Sequence, residues 1–68
     1  MNGKYSKYIG AFGYDDPMPV PAAEVERVIR DNRQYGTLAE RRYVCRRKLR
    51  NGETLTDAHG FWVRLSNI

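Results

Sequence analysis

The chain has one cysteine, one histidine and no apolar run that approaches the length of a membrane span. A lone Cys45 cannot form an intramolecular disulfide, and one cysteine with one histidine falls short of a structural zinc site. Burial and turn chemistry must therefore hold the fold. At 68 residues the chain is one domain that removes only about 60% of its unfolded surface from water, so its core is small. The six glycines are scattered, and none forms a strand-to-helix phosphate loop with a following lysine. His59 has no evident partner for acid-base or nucleophilic chemistry and reads as a turn residue. Asp15 and Asp16 precede Pro17, where turn and cap chemistry explains them better than a bound cation does. No catalytic residue, metal, cofactor or small-molecule substrate is expected. The start, MNGKYSKYIG, lacks the apolar core of a signal peptide, and a free thiol suits a reducing compartment, so a soluble cytoplasmic protein without a membrane contact is expected.

What the chain does have is positive charge. Twelve Lys and Arg against eight Asp and Glu give a net charge of +4, which favours encounter with nucleic acid or with an acidic protein surface. Nine of the twelve are arginine, whose planar fork suits carboxylate and phosphate alike. Six cations and no anion fall within RRYVCRRKLR, residues 41–50. At a period of two, Arg42, Val44, Arg46, Lys48 and Arg50 share one face, and Arg41, Tyr43, Cys45, Arg47 and Leu49 the other. That pattern predicts a strand over 42–50 with a cationic outer face, and Asn51-Gly52 just beyond it is a hairpin signal. A competing local signal exists: Thr37-Leu38-Ala39-Glu40 has the capping-box pattern of a helix start. A helix there would carry a broken apolar stripe, so the strand is the cleaner expectation and the helix the alternative. Cys45 reads as a small inward-facing core residue, although the surrounding cations would lower the pKa of an accessible thiol.

The clearest element is a helix over 21–35, with Val25, Val28, Ile29 and Asn32 on one side. Glu24 and Glu26 sit near its N-terminus, Arg30 and Arg33 near its C-terminus, Glu26 and Arg30 are spaced as an i, i+4 pair, and Gly36 supplies the stop. Pro17, Pro19 and Pro21 alternate with Met18 and Val20 as a stiff spacer into that helix. Before them, a short strand over 4–9 precedes a glycine-containing loop, and residues 1–20 read as an arm plus a proline-rich spacer. Phe61-Trp62-Val63-Arg64-Leu65 predicts a second strand, with Trp62 either packed in the core or displayed beside the cationic ribbon. The fold class is α+β, one amphipathic helix on a small antiparallel sheet that includes a C-terminal hairpin.

Two classes of function fit these features. One is direct nucleic-acid binding through Arg42, Arg46, Lys48 and Arg50, with Tyr43 or Trp62 stacking on a base. Were the Thr37 helix present, that class would take a winged-helix form, with the hairpin as the wing. The other is a protein-binding regulator that displays Tyr, Trp and Arg, the residue types that dominate interface hot spots. The whole chain, with its start MNGKYSKYIGAFGYDD, its helix PAAEVERVIRDNRQYG and its end GFWVRL, resembles the small regulators that lytic phages, Xanthomonas phages among them, direct at host RNA polymerase. The resemblance implies binding to bacterial RNA polymerase near the N-terminal part of the β′ subunit, with displacement of σ factor and readthrough of terminators. Independently of the resemblance, the dense apolar and aromatic groups outside the expected core make Tyr5, Tyr8 and Ile9 the expected N-terminal anchor of a protein-binding surface, with the arginine ribbon supplying steering and rim contacts and a displayed Trp62 joining the partner-binding residues.

Overall fold

Val63 is fully buried, while Trp62 and Arg64 on either side of it are not, the alternation of a strand with one covered face. In the computed structural model, which describes residues 7–66, this strand is β4 (Phe61–Leu65). It is paired on one side with β1 (Tyr8–Phe12) and on the other with the two-residue β3 (Leu55–Thr56). A further strand, β2 (Met18–Val20), pairs with β1, so the antiparallel sheet runs β2-β1-β4-β3. Tyr5 lies outside the described residues.

Two helices cover one face of the sheet. They are α1 (Ala22–Asp31) and α2 (Leu38–Arg50), joined through a 3-10 turn at Arg33–Tyr35. Val25, Val28 and Ile29 from α1 and Cys45 and Leu49 from α2 meet Val20, Leu55 and Val63 from the sheet in one core, with Tyr8, Tyr35 and Phe61 against its edge. This is the α+β architecture expected from the sequence, a helix layer on a small antiparallel sheet.

The helix expected over 21–35 is interrupted. Asn32 ends α1, and its buried side-chain amide donates to the carbonyl oxygens of Val28 and Thr56 while its oxygen accepts from Gln34. A polar side chain on the apolar stripe thus ties the helix end to β3, and every one of these bonds is internal. Gly36, at φ 100°, follows the 3-10 turn as the stop.

The strand expected over 42–50 is a helix. Thr37 Oγ1 accepts from the Glu40 N–H at 3.2 Å, and the Glu40 carboxylate accepts from the Thr37 N–H at 2.8 Å, a complete capping box. Asn51-Gly52 is its C-terminal stop and not a hairpin turn. Gly52 adopts φ 82°, its N–H reaches Leu49 O, and the Glu53 N–H reaches Lys48 O, the paired bonds of a Schellman motif. The C-terminal hairpin exists one step later, as β3 and β4 joined by Asp57-Ala58-His59-Gly60, with Gly60 at φ 87° in the left-handed position such a loop requires.

The segment read as arm and spacer supplies β1 and β2. Proline tolerates this placement because β2 is an edge strand, where a missing N–H costs no ladder bond. Gly10 interrupts neither strand: a Cβ there would meet the backbone oxygen of Trp62, so the close approach of β1 to β4 needs glycine.

Candidate interaction surface

Helix α2 carries the six cations of residues 41–50, and the structure gives most of them internal work. Arg41 donates from Nε to Gly36 O at 2.7 Å and from Nη1 to Arg30 O at 2.9 Å, stapling the start of α2 to the end of α1. Arg42 Nε lies 2.7 Å from Glu26 Oε2, and Arg46 Nη2 lies 3.2 Å from Glu26 Oε1. One α1 carboxylate thus holds two α2 guanidinium groups one helical turn apart. The hydrogen bond from Arg42, joined by the one from Arg46, holds the Glu26 carboxyl below its ordinary pKa against the burial that would raise it. The Glu26–Arg30 pair suggested by i, i+4 spacing is replaced by this interhelical clamp. Lys48 Nζ reaches Glu53 at 3.1 Å and lies 5.8 Å from the centroid of the Tyr35 ring. The hydrogen bond to Glu53 pushes the Lys48 pKa up.

Arg47 and Arg50 have no carboxylate within ion-pair distance among the described residues. With Tyr43, which is 64% exposed, they follow i, i+4, i+7 spacing along the outward side of α2. Arg50 also borders, with Lys7 and Arg46, a groove of about 330 Å³ between the helices and the start of β1. The cationic ribbon expected from the sequence therefore reduces to a narrower stripe that begins at Tyr43, a residue the helical spacing alone would have placed there.

The other expected partner residues are dispersed. Tyr8 and Ile9 are neighbours in β1, so their side chains leave opposite faces of the sheet. Tyr8 stands against the core on the helix side, while Ile9, opposite Arg64 and Pro19 in register, lies on the open face. They do not form one anchor. Trp62 also lies on that open face, opposite Ala11 and Thr56. It is half-buried, its Nε1 donates to Gly13 O at 2.8 Å, and the Arg64 guanidinium sits 5.8 Å from its ring centroid. Trp62 is thus neither a core residue nor a neighbour of the α2 cations, but a brace between β4 and the β1–β2 turn.

Cys45 is fully buried among core residues. Burial pushes its thiol pKa up, and the opposing influence of Lys48 is too weak to reverse that. The surrounding arginines point elsewhere, so the cationic sequence context does not activate this thiol. Among the described residues no group of His, Cys, Asp and Glu side chains has the geometry to hold a metal ion, and no helix is long and apolar enough to cross a membrane.

Sequence reasoning missed the interhelical pairing of Glu26, and it missed Asp57 and the exposed pair Phe12 and Met18 as groups that shape the surface. Asp57 accepts from Arg27 Nη2 at 2.9 Å and from the N–H groups of His59 and Phe61, which fixes the β3–β4 loop. Contacts between residues this distant in sequence leave no local signature, although an aspartate before a glycine-containing turn is the residue type such a loop uses. Phe12 and Met18 are 55% and 67% exposed, at the end of the sheet remote from the α2 cations. Comparison with protein-family models, with curated proteins and with solved structures found no match.

Proposed function

We propose that the chain is a non-catalytic binding module that regulates bacterial transcription by binding RNA polymerase in the host cytoplasm, with the β′ N-terminal region as the contact that the resemblance implies. The observation that carries a protein partner over a phosphate backbone is the internal neutralisation of the arginine run. Glu26 takes Arg42 and Arg46, Glu53 takes Lys48, and Arg41 is bonded to backbone carbonyls. A surface built to neutralise phosphates would leave such groups free. The outward side chains include Phe12, Tyr14, Met18 and Tyr43, apolar and aromatic groups of the kind that anchor protein interfaces.

A direct test is binding of the full chain to purified, nuclease-treated bacterial RNA polymerase, followed by promoter-dependent initiation and terminator readthrough assays. Nuclease-resistant binding with a change in either assay supports the reading; no binding overturns it.

A second reading has one specific observation behind it. The order α1, short turn, α2, hairpin is that of a winged-helix module, and the Tyr43, Arg47 and Arg50 stripe lies on the second helix. It takes precedence if the chain binds duplex DNA with an affinity that falls steeply with salt and binds no polymerase.

A further inference from the structure

The apolar groups exposed at the β1–β2 end are arranged around a groove of about 320 Å³. Phe12, Met18 and Phe61 supply its apolar wall, and Asp15, Asp16 and Glu24 stand around it. The Phe12 and Phe61 rings meet at 5.0 Å between centroids, so Phe12 is held in place although more than half of it is exposed to water. Exposed apolar groups gathered at one place and rimmed by polar groups are the arrangement that interaction sites use.

Charge narrows the occupant. Glu24 already pairs with Arg27, but Asp15 and Asp16 have no ion pair among the described residues. Two adjacent unpaired carboxylates therefore flank an apolar groove on a chain whose net charge is +4. A ligand with lysine or arginine beside its apolar group matches this rim, and an acidic one is repelled.

The backbone narrows the binding mode. Strand β2 is the sheet edge beside the groove, and Pro19 within it, with Pro17 and Pro21 at its two ends, removes every second N–H of this edge. An extended peptide adding to this edge would find no donors at those positions, so strand addition is disfavoured. The same prolines fix the edge before any partner arrives, which lowers the ordering cost of binding. What remains is a segment that enters by its side chains.

We propose that this groove receives an amphipathic helical segment of a partner protein, with an aliphatic or aromatic anchor seated against Phe12, Met18 and Phe61 and a neighbouring Lys or Arg facing Asp15 and Asp16. The inference rests on the protein-binding reading above and names the chemistry of the segment that is bound.

The test uses the ¹⁵N-labelled full chain and two synthetic helical peptides of matched pattern, one built of leucine and lysine, the other of leucine and glutamate. The leucine-lysine peptide shifts the amide signals of Phe12, Asp15, Asp16, Met18 and Phe61, and the glutamate peptide does not. Asp15→Asn with Asp16→Asn, and separately Met18→Ser, each weaken that binding by about three- to ten-fold. All three positions are exposed, so unchanged melting curves confirm that the variants fold. Absence of shifts, shifts confined to α2, equal binding of the two peptides, or unaffected variants would each overturn the proposal. The same variants are then assayed on purified bacterial RNA polymerase. Wild-type binding that the variants retain in full removes the groove and leaves the polymerase reading intact. A basic peptide seated in the groove of a chain that binds no polymerase removes the polymerase reading and leaves the groove.

Discussion

Arg27 and Asp57 stand 30 residues apart in the chain and meet at 2.9 Å, joining the middle of α1 to the turn of the β3–β4 hairpin. The contact is asymmetric. The Asp57 side chain is almost wholly buried while that of Arg27 is 42% exposed, so the aspartate depends on the arginine more than the reverse. Asp31, one turn further along α1, accepts from the Ala58 N–H at 2.7 Å, and the loop is thus held at two points by the same helix.

Acid sensitivity follows from this pair. Burial alone would raise the Asp57 pKa, but the hydrogen bonds from Phe61, Arg27 and His59 outweigh it and hold the carboxyl below the ordinary range. A group with a depressed folded pKa contributes stability above its unfolded pKa, about 3.9, and loses it as pH falls through the folded value. Asp57→Asn therefore lowers stability by about 1–2 kcal/mol at neutral pH, and its difference from wild type shrinks below about pH 4. Urea denaturation across that range measures it. A constant difference from pH 7 to pH 3 would remove Asp57 as the source.

The capping box that starts α2 gives a second expectation. Thr37→Ala removes the acceptor for the Glu40 N–H and costs about 1 kcal/mol. Glu40 in turn has its pKa lowered, first by the Thr37 backbone N–H, so the effect of Glu40→Gln is smaller at acid pH than at neutral pH. Chemical denaturation followed by circular dichroism separates these outcomes from a loss of helix elsewhere.

How far the sequence disclosed this fold depends on where each element gets its stabilisation. Helix α1 was legible because Val25, Val28 and Ile29 form its buried stripe unaided. Helix α2 was not, because it buries only Cys45 and Leu49. The rest of its inner side is Arg41, Val44 and Lys48, all half-buried; Arg41 and Lys48 lay hydrocarbon stems along the fold and keep their charges at the edge. An apolar count misses such a stripe, whereas the local hydrogen-bonding signal of Thr37 and Glu40 identified the helix start. Asn51-Gly52 misled for a related reason. A left-handed glycine serves a hairpin turn and a helix end equally, and only the packing of α2 decides between them. Of the expected site, the cations were visible as residues, but their pairing with Glu26 and Glu53 was a property of the folded chain.

Gly10 marks the tightest approach in the sheet. An added Cβ would meet the Trp62 backbone oxygen and come within 3.0 Å of Val20 Cγ2 and 3.1 Å of Val63 Cγ1. Backbone of a central strand cannot move aside as a flexible side chain can, so Gly10→Ala destabilises by about 1–3 kcal/mol. In a domain of this size that lowers the melting temperature by roughly 4–8 °C for each kcal/mol. Thermal denaturation followed by Trp62 fluorescence reads it, and an unchanged melting temperature would mean that β1 and β4 are further apart.

Glu26 offers the sharpest separation between a protein partner and a nucleic acid. Glu26→Gln keeps the size of the side chain but releases Arg42 and Arg46, now held at 2.7 and 3.2 Å. Both arginines are well exposed, so the loss of stability stays within about 1 kcal/mol. The released guanidinium groups join Arg47 and Arg50 as free cations, and two added phosphate contacts steepen the salt dependence of duplex binding by a slope of about 2. If the chain acts through polymerase, this variant gains non-specific DNA affinity at low salt while its binding to nuclease-treated polymerase changes less than about two-fold. If it acts on DNA, the same substitution strengthens the functional complex itself. Titrating wild type and variant against a short duplex and against polymerase, at two salt concentrations, distinguishes these outcomes. Parallel gains on both targets would count against the protein-binding reading.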